Sequence, residues 1–310
     1  MLKLSDGNYG FFKEALSTGK LLLITATMRE GKSNVGSFII ENGVPLGYNF
    51  YTNLLFYNYD EIEDAIAEGI LTQEKEYYRR VPPEVHTITT MSELILGLNS
   101  TRKNITLLDE ALLFAGSKKG VSKDIRWFEG LVTQIGKFDS SIALIAQAKS
   151  KLATLLKEDI PSYEIKVHKI SFNNRYVEIW YNPPQSVELP EDPFKVDEWG
   201  NIPASHYPYD HLAPAGFSYD IDMEDFVNRI SKMKSLHVRK EIPKIINEMM
   251  QKKSIKHKKG RTLKNHITEI IQNDPKVSNH DIMRELNKIN LKASDRYIFT
   301  VRKEIGIFPS

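Results

Sequence analysis

Residues 21–38, LLLITATMREGKSNVGSF, constrain this chain more than any other stretch. The apolar run Leu21, Leu22, Leu23, Ile24 predicts a strand buried on both faces. Residues 25–31 predict a polar turn, and Lys32 and Ser33 open a segment with helical potential. Strand, loop, Gly-Lys-Ser, helix is the order a phosphate-binding loop requires. In such a loop, backbone N–H groups at the helix N-terminus point at phosphate oxygens. Lys32 adds positive charge near the outer phosphates, and the Ser33 hydroxyl is suited to ligating Mg2+. The first position of the GxxxxGK[ST] pattern holds Ala26, which takes positive φ less freely than Gly. The expected nucleotide contacts are Ala26, Thr27, Met28, Arg29, Glu30, Gly31, Lys32, Ser33 and Asn34.

Cleaving a nucleoside triphosphate needs three further groups: a carboxylate for Mg2+, a second to orient or deprotonate water, and a polar sensor of the γ-phosphate. Residues 105–108 predict a buried strand running straight into Asp109 and Glu110, at the strand end where α/β sheets bind ligands. Residues 141–146 predict another, ending at Gln147, and this strand is expected between the other two. Asp109 with Ser33 is the expected metal pair, Glu110 the water-activating group and Gln147 the sensor.

The remaining expectations set the frame. A short leading helix spans 9–17, a strand lies within 44–56, a helix spans 60–70, and a short strand spans 85–90. A helix over 92–98 starts at Ser92, and another spans 124–137. Residues 114–123, rich in Gly, Ser and Lys, read as a mobile loop. Strands 164–172 and 175–181 pair around Asn173-Asn174. Residues 182–218 read as an irregular wrap, 226–250 as a basic helix interrupted at Pro243, and 252–261 as a basic hinge. Alternating strands and helices predict an α/β fold, a three-layer core around a mostly parallel sheet. Domain boundaries are expected at 1–182 for this core, 183–261 for the wrap and linker, and 262–310 for a small all-α domain.

No apolar run reaches the ~18 residues of a membrane span, and the first residues lack an apolar signal core, so a cytoplasmic protein is expected. The absence of Cys excludes disulfides, thiolate metal sites and Cys nucleophiles. Net charge is +2, but it is unevenly spread: residues 229–310 hold 20 Lys and Arg against 8 Asp and Glu, and the rest hold 22 against 32. A basic end on an acidic body predicts a nucleic-acid contact there. Within that end three short helices are expected, the second started by Ser278 and the third by Ser294, with Gly306 closing the third. Ile298, Val301 and Ile305 form its inward stripe, leaving Arg296, Tyr297, Thr300, Lys303 and Arg302 toward the outward face. The expected DNA contacts are Ser294, Arg296, Tyr297, Thr300 and Lys303 in the groove, with Lys256, Lys258, Lys259 and Arg261 on phosphates.

Three motifs together carry a resemblance. Residues 26–33 resemble a Walker A loop, LLDE at 107–110 a Walker B with its Glu, and ALIAQ at 143–147 the sensor strand of the FtsK/HerA class of P-loop ATPases. The class includes viral genome-packaging ATPases and Zot-like phage assembly ATPases. The resemblance covers about residues 18–182 and implies an ATPase that moves double-stranded DNA, with ATP and Mg2+ bound between subunits of a ring, expected to be a hexamer. It also implies a capsid or transfer-pore protein as a further partner, in a host cytoplasm if the chain is viral. The class carries an Arg before the Gln strand, where Lys137 stands here. For its trans-acting Arg the candidate is Arg126, with Arg102 and Arg175 behind it. The C-terminal helices resemble a helix-turn-helix or winged-helix domain. The alternative readings are a nucleotide-switched DNA-binding regulator or replication initiator, and a Zot-like assembly ATPase at a membrane.

Overall fold

The computed structural model describes residues 19–26, 30–99, 103–111, 123–138, 140–147, 152, 162–171, 174–183, 192–210, 217–289 and 291–307. The expected leading helix, nearly all of the 114–123 loop, Thr27, Met28, Arg29 and Arg102 lie outside them. The chain divides into two compact units, Met1–Ile246 and Asn247–Ser310.

In the first unit eight strands build one sheet: β1 (Leu21–Thr25), β2 (Asn49–Thr52), β3 (Val85–Thr87), β4 (Asn104–Leu108), β5 (Ser140–Ala146), β6 (Tyr163–Ser171), β7 (Asn174–Tyr181) and β8 (Phe194–Ile202). Their order is β3-β2-β4-β5-β1-β6-β7-β8. The ladders from β3 to β6 are parallel, and β7 and β8 add antiparallel at one edge. β5 therefore lies between β1 and β4, as the sequence predicts. β1, β4 and β5 are buried along their whole length, which is why their sequences run apolar without alternation.

One face packs Leu22, Ile24, Ile105, Leu107, Ala143 and Ile145 against α1 (Lys32–Gly43). A Cβ on Gly36 would stand 2.7 Å from Ile145 and 3.3 Å from Leu107, so the bare glycine lets α1 sit close on the sheet. The alternate residues Leu21, Leu23, Ile142 and Leu144 are equally buried, so the opposite face is covered as well. The other helices of this unit are α2 (Ile62–Ala67), α3 (Met91–Leu98), α4 (Lys123–Thr133) and α5 (Met223–Ser231).

Several local expectations are corrected. The strand expected in 44–56 is only β2, because Pro45 starts a 3-10 turn, Val44–Leu46, that ends at Gly47 with φ 86°. The helix expected over 60–70 shortens to α2, ending in a turn with Gly69 at φ 73°. α3 is capped by Thr90 rather than Ser92: the Glu93 N–H donates to the Thr90 hydroxyl and the Thr90 N–H to the Glu93 carboxylate, 3.0 Å. Ser92 instead bonds Asp220. The helix expected over 124–137 ends at Thr133 and a 3-10 turn follows. Lys137 then donates to the carbonyls of Ile230 and Ser231, at 3.1 and 3.3 Å, stabilising the C-terminus of α5.

The wrap expected over 182–218 contains β8, which buries Trp199 and Ile202 beside β7. Two register shifts in this pairing break the alternation that would have marked a strand.

The interruption expected at Pro243 and the hinge at 252–261 are absent, because α6 runs helically through Ser235–Asn273. Proline has no N–H, so the carbonyl four residues back, Arg239, loses its helical donor. The Asn99 side-chain amide replaces it at 2.9 Å. In the second unit the last part of α6 packs with α7 (Asn279–Lys288) and α8 (Asp295–Ile305) through Ile267, Ile271, Ile282, Leu286, Ile298 and Val301. Ser278 and Ser294 cap α7 and α8, and Gly306 at φ 72° closes α8 with Ile307 N–H reaching the Arg302 carbonyl.

Candidate active site

Gly31 precedes α1 with φ 88°, turning the chain so that the helix N-terminus opens at the carboxyl end of β1. Lys32 follows and is 7% exposed. Burial lowers its pKa, against the opposing pull of Asp109, Glu110 and Glu30. The Ser33 hydroxyl donates to Asp109 Oδ2 at 2.6 Å, so the phosphate loop and the end of β4 meet directly. Burial raises the Asp109 carboxyl above its ordinary value, with the Ser33 hydroxyl and the Glu110 N–H pulling the other way.

Glu110 takes φ 51°, the one non-glycine with positive φ among the described residues. That left-handed turn costs about 1–2 kcal/mol for a residue with a Cβ. It lets the Glu110 N–H fold back onto Asp109 Oδ1 at 2.7 Å, while the Ala111 N–H bonds the Ile145 carbonyl of β5. Glu110 and Gln147 thereby face the same space, and the Gln147 amide donates to Glu110 Oε1 at 2.8 Å.

These groups border a cavity of about 480 Å³ lined by Gly31, Lys32, Ser33, Glu110 and Gln147, with Tyr78, Tyr207 and Tyr209 on its walls. Burial drives the Tyr209 hydroxyl pKa far up, so it stays protonated. The segment 203–210 forms part of the wall. Asn34 holds it, donating to the Pro203 carbonyl at 2.9 Å and accepting from the Ser205 N–H at 2.8 Å. The Asn34 side chain thus braces the wall, and Asn34 itself also lines the cavity. Ala26 packs on the core, and Glu30 lies beside Lys32.

Sequence reasoning missed Asn53. It is 2% exposed and grips the Asp109 backbone, accepting from its N–H at 2.6 Å and donating to its carbonyl at 3.0 Å. The only available signal was a polar residue just beyond β2. It also missed Lys169 as a lining residue, and named Arg175 only as a candidate to act in trans. Arg175 lines the cavity of its own chain, and Arg126 is exposed on α4.

The charge and donor set suit a polyphosphate, and the hard oxygens of Ser33 and Asp109 suit Mg2+, which takes one or two protein oxygens plus phosphate. In the second unit Arg296, Thr300 and Lys303 are exposed on α8. Ser294 caps the helix with its hydroxyl, and Tyr297 packs partly against the unit's core. Arg302 is fully buried, a correction to its expected outward place: it donates to Asn279 Oδ1 at 2.9 Å and to the carbonyls of Pro275 and Val277. The side chains of Lys256, Lys258, Lys259 and Arg261 lie outside the description, though their backbone is helical.

A phosphate loop after β1, with β5 inserted between it and the strand bearing Asp109, is the architecture of a P-loop NTPase. No protein-family model and no curated protein sequence matches the chain. Among solved structures it is similar to the N-terminal domain of zonular occludens toxin from Neisseria meningitidis, 16% identical over 58% of this chain and 93% of that one, TM-score 0.33. It is similar to the genome packaging NTPase B204 of Sulfolobus turreted icosahedral virus 2, in complex with ATP-gammaS, 12% identical over 50% and 78%, TM-score 0.31. It is also similar to the flagellar accessory protein FlaH of Methanocaldococcus jannaschii, 12% identical over 68% and 98%, TM-score 0.39.

Proposed function

We propose that this chain is an ATPase that works on double-stranded DNA, hydrolysing ATP to ADP and phosphate to move the duplex as a viral or mobile-element packaging or transfer motor. One observation carries the reading: Ser33–Asp109 and Glu110–Gln147 are two hydrogen-bonded pairs, of 2.6 and 2.8 Å, on one cavity floored by Lys32. Phosphate-loop amides and Lys32 hold the polyphosphate. Ser33 and Asp109 would hold Mg2+, which when bound neutralises phosphate charge. Glu110 orients the attacking water and accepts its proton. While Gln147 holds Glu110 Oε1, that carboxylate is partly occupied; a γ-phosphate that draws the amide away frees it. Sensing and water activation are thus linked by one hydrogen bond.

The basic second unit supports the DNA part of the reading. Arg296, Thr300 and Lys303 share an exposed stretch of α8, a short capped helix of the kind that enters a major groove. The helical run bearing Lys256, Lys258, Lys259 and Arg261 would engage phosphates. A ring, taken as hexameric, is the assembly in which Arg126 would reach a neighbour's nucleotide. Among the described residues no helix is long and apolar enough to cross a membrane.

The test is Glu110→Gln, assayed for ATP binding and for turnover with and without duplex DNA. ATP binding is retained and turnover falls about 10²- to 10⁴-fold, while the wild-type rate rises with duplex. Wild-type turnover in the variant removes Glu110 from its role. Tight site-specific DNA binding with negligible turnover in the wild type turns the reading to a nucleotide-switched regulator.

A further inference from the structure

The space beside the Gly31 Cα is filled by Arg175. A Cβ added at Gly31 would stand 1.9 Å from Arg175 Nε, 2.7 Å from Cζ and 2.8 Å from Cδ. The guanidinium therefore lies against the residue that opens α1, at the helix N-terminus where backbone N–H groups are free to meet an anion. Arg175 comes from β7, paired with Lys169 of β6 on one side and Ile202 of β8 on the other. The β6–β7 hairpin thus delivers two cationic residues, Lys169 and Arg175, to the cavity that Lys32 floors.

The surroundings of Arg175 are incomplete. Its Nε and Nη1 are buried and make no hydrogen bond. Among the described residues no carboxylate pairs with it. Burial lowers the guanidinium pKa without depriving it of its proton. Arg175 is half-buried, and buried guanidinium donors left idle are costly unless an anion completes them. A guanidinium is planar and rigid, and its N–H groups make charge-assisted hydrogen bonds to phosphate oxygens.

We propose that Arg175 is a phosphate ligand in its own subunit, donating from Nε and Nη1 to the nucleotide's polyphosphate beside Lys32. The assignment rests on the nucleotide-binding reading above, and it is separate from any arginine supplied in trans. It also explains why position 31 is a glycine on two counts: the positive φ, and the room a side chain would deny the guanidinium.

The experiment measures ATP and ADP dissociation constants and the thermal midpoint of the nucleotide-free protein for wild type, Arg175→Met, Arg175→Lys and Lys32→Ala. Met keeps the packing of the stem and removes the charge. Arg175→Met is expected to weaken ATP about 10- to 100-fold without lowering the nucleotide-free midpoint, and Lys to recover only part of the loss. An ATP affinity within threefold of wild type overturns the proposal. So does a tighter one, which would mark the guanidinium as an occupant of the phosphate position. A nucleotide-free midpoint that falls along with affinity also overturns it, because the role would then be packing. Lys32→Ala separates the two readings. If it abolishes binding while Arg175→Met does nothing, only this assignment fails. If neither variant matters, the nucleotide site itself is wrong.

Discussion

Asn53 clamps the backbone of Asp109 at both of its polar groups, with its carbonyl oxygen 2.6 Å from the Asp109 N–H and its amide nitrogen 3.0 Å from the Asp109 carbonyl. The clamp joins β2 to β4 just beyond their last ladder pair, Thr52 with Leu107. Asp109 leaves its strand here and Glu110 turns to positive φ, past the end of the β2–β4 ladder. A side-chain amide, using one donor and one acceptor in a plane, adds a rung there.

Asn53→Ala should leave a buried N–H and carbonyl without partners, at a cost of about 1–3 kcal/mol for each group left unsatisfied. Urea unfolding measures that loss. The larger effect is expected on turnover, because Asp109 and Glu110 would both drift from their partners. Turnover should fall at least about 10-fold, since misplacement by an ångström costs up to 10²-fold. Asn53→Asp, which keeps an acceptor but adds charge beside Asp109, should not restore it.

Lys32 should make nucleotide binding proton-linked in the alkaline range. Its pKa lies below 10.5 because burial disfavours the ammonium, although Asp109, Glu110 and Glu30 oppose the shift. The folded value is the lower one, so between it and 10.5 the unfolded chain binds more protons. The stability contribution of this group therefore rises with pH across that window, and its desolvation cost is fully present below it. A bound polyphosphate raises the pKa again, and binding in that window should take up protons. Calorimetry in two buffers of different ionisation enthalpy should show net uptake for the wild type and none from this group in Lys32→Met. Asp109, whose carboxyl is raised above 3.8, works in the acid range with the opposite slope: its contribution is lost as pH rises from 3.8 through the raised value.

Asn99 and Pro243 should be coupled energetically. The Asn99 amide meets the Arg239 carbonyl at 2.9 Å, the carbonyl that Pro243 leaves without a helical donor. Asn99→Ala should therefore cost about 0.5–1.5 kcal/mol. Pro243→Ala restores an N–H at that position, so the Asn99→Ala loss should shrink in its background. A double-mutant cycle by chemical denaturation reads the difference, and strict additivity would refute the coupling.

The parts of the site carried on short contiguous motifs were legible in the sequence. Gly31, Lys32 and Ser33 follow an apolar run, and Asp109, Glu110 and Gln147 end two others. In an α/β sheet the strand ends and the helix N-terminus fall on the same edge whatever the rest of the chain does. The caps Ser278 and Ser294 and the stop at Gly306 were legible for the same reason, since each depends on a few neighbouring residues.

Tertiary structure alone decided the rest, because those residues act across long separations. Arg175 reaches Gly31 only after β6 and β7 pair beside β1. Asn53 reaches Asp109 only through the β2–β4 ladder. Arg302, which helical periodicity left near the outward face, is buried because the 275–279 turn offers it two carbonyls and an amide oxygen. Pro243 and the basic run after it looked like breaks, yet α6 continues, since a distant asparagine supplies the donor that proline lacks. Local patterns state which groups a chain has to offer, and packing determines which of them find one another, because a hydrogen bond reaches only about 3 Å however many residues lie between its ends.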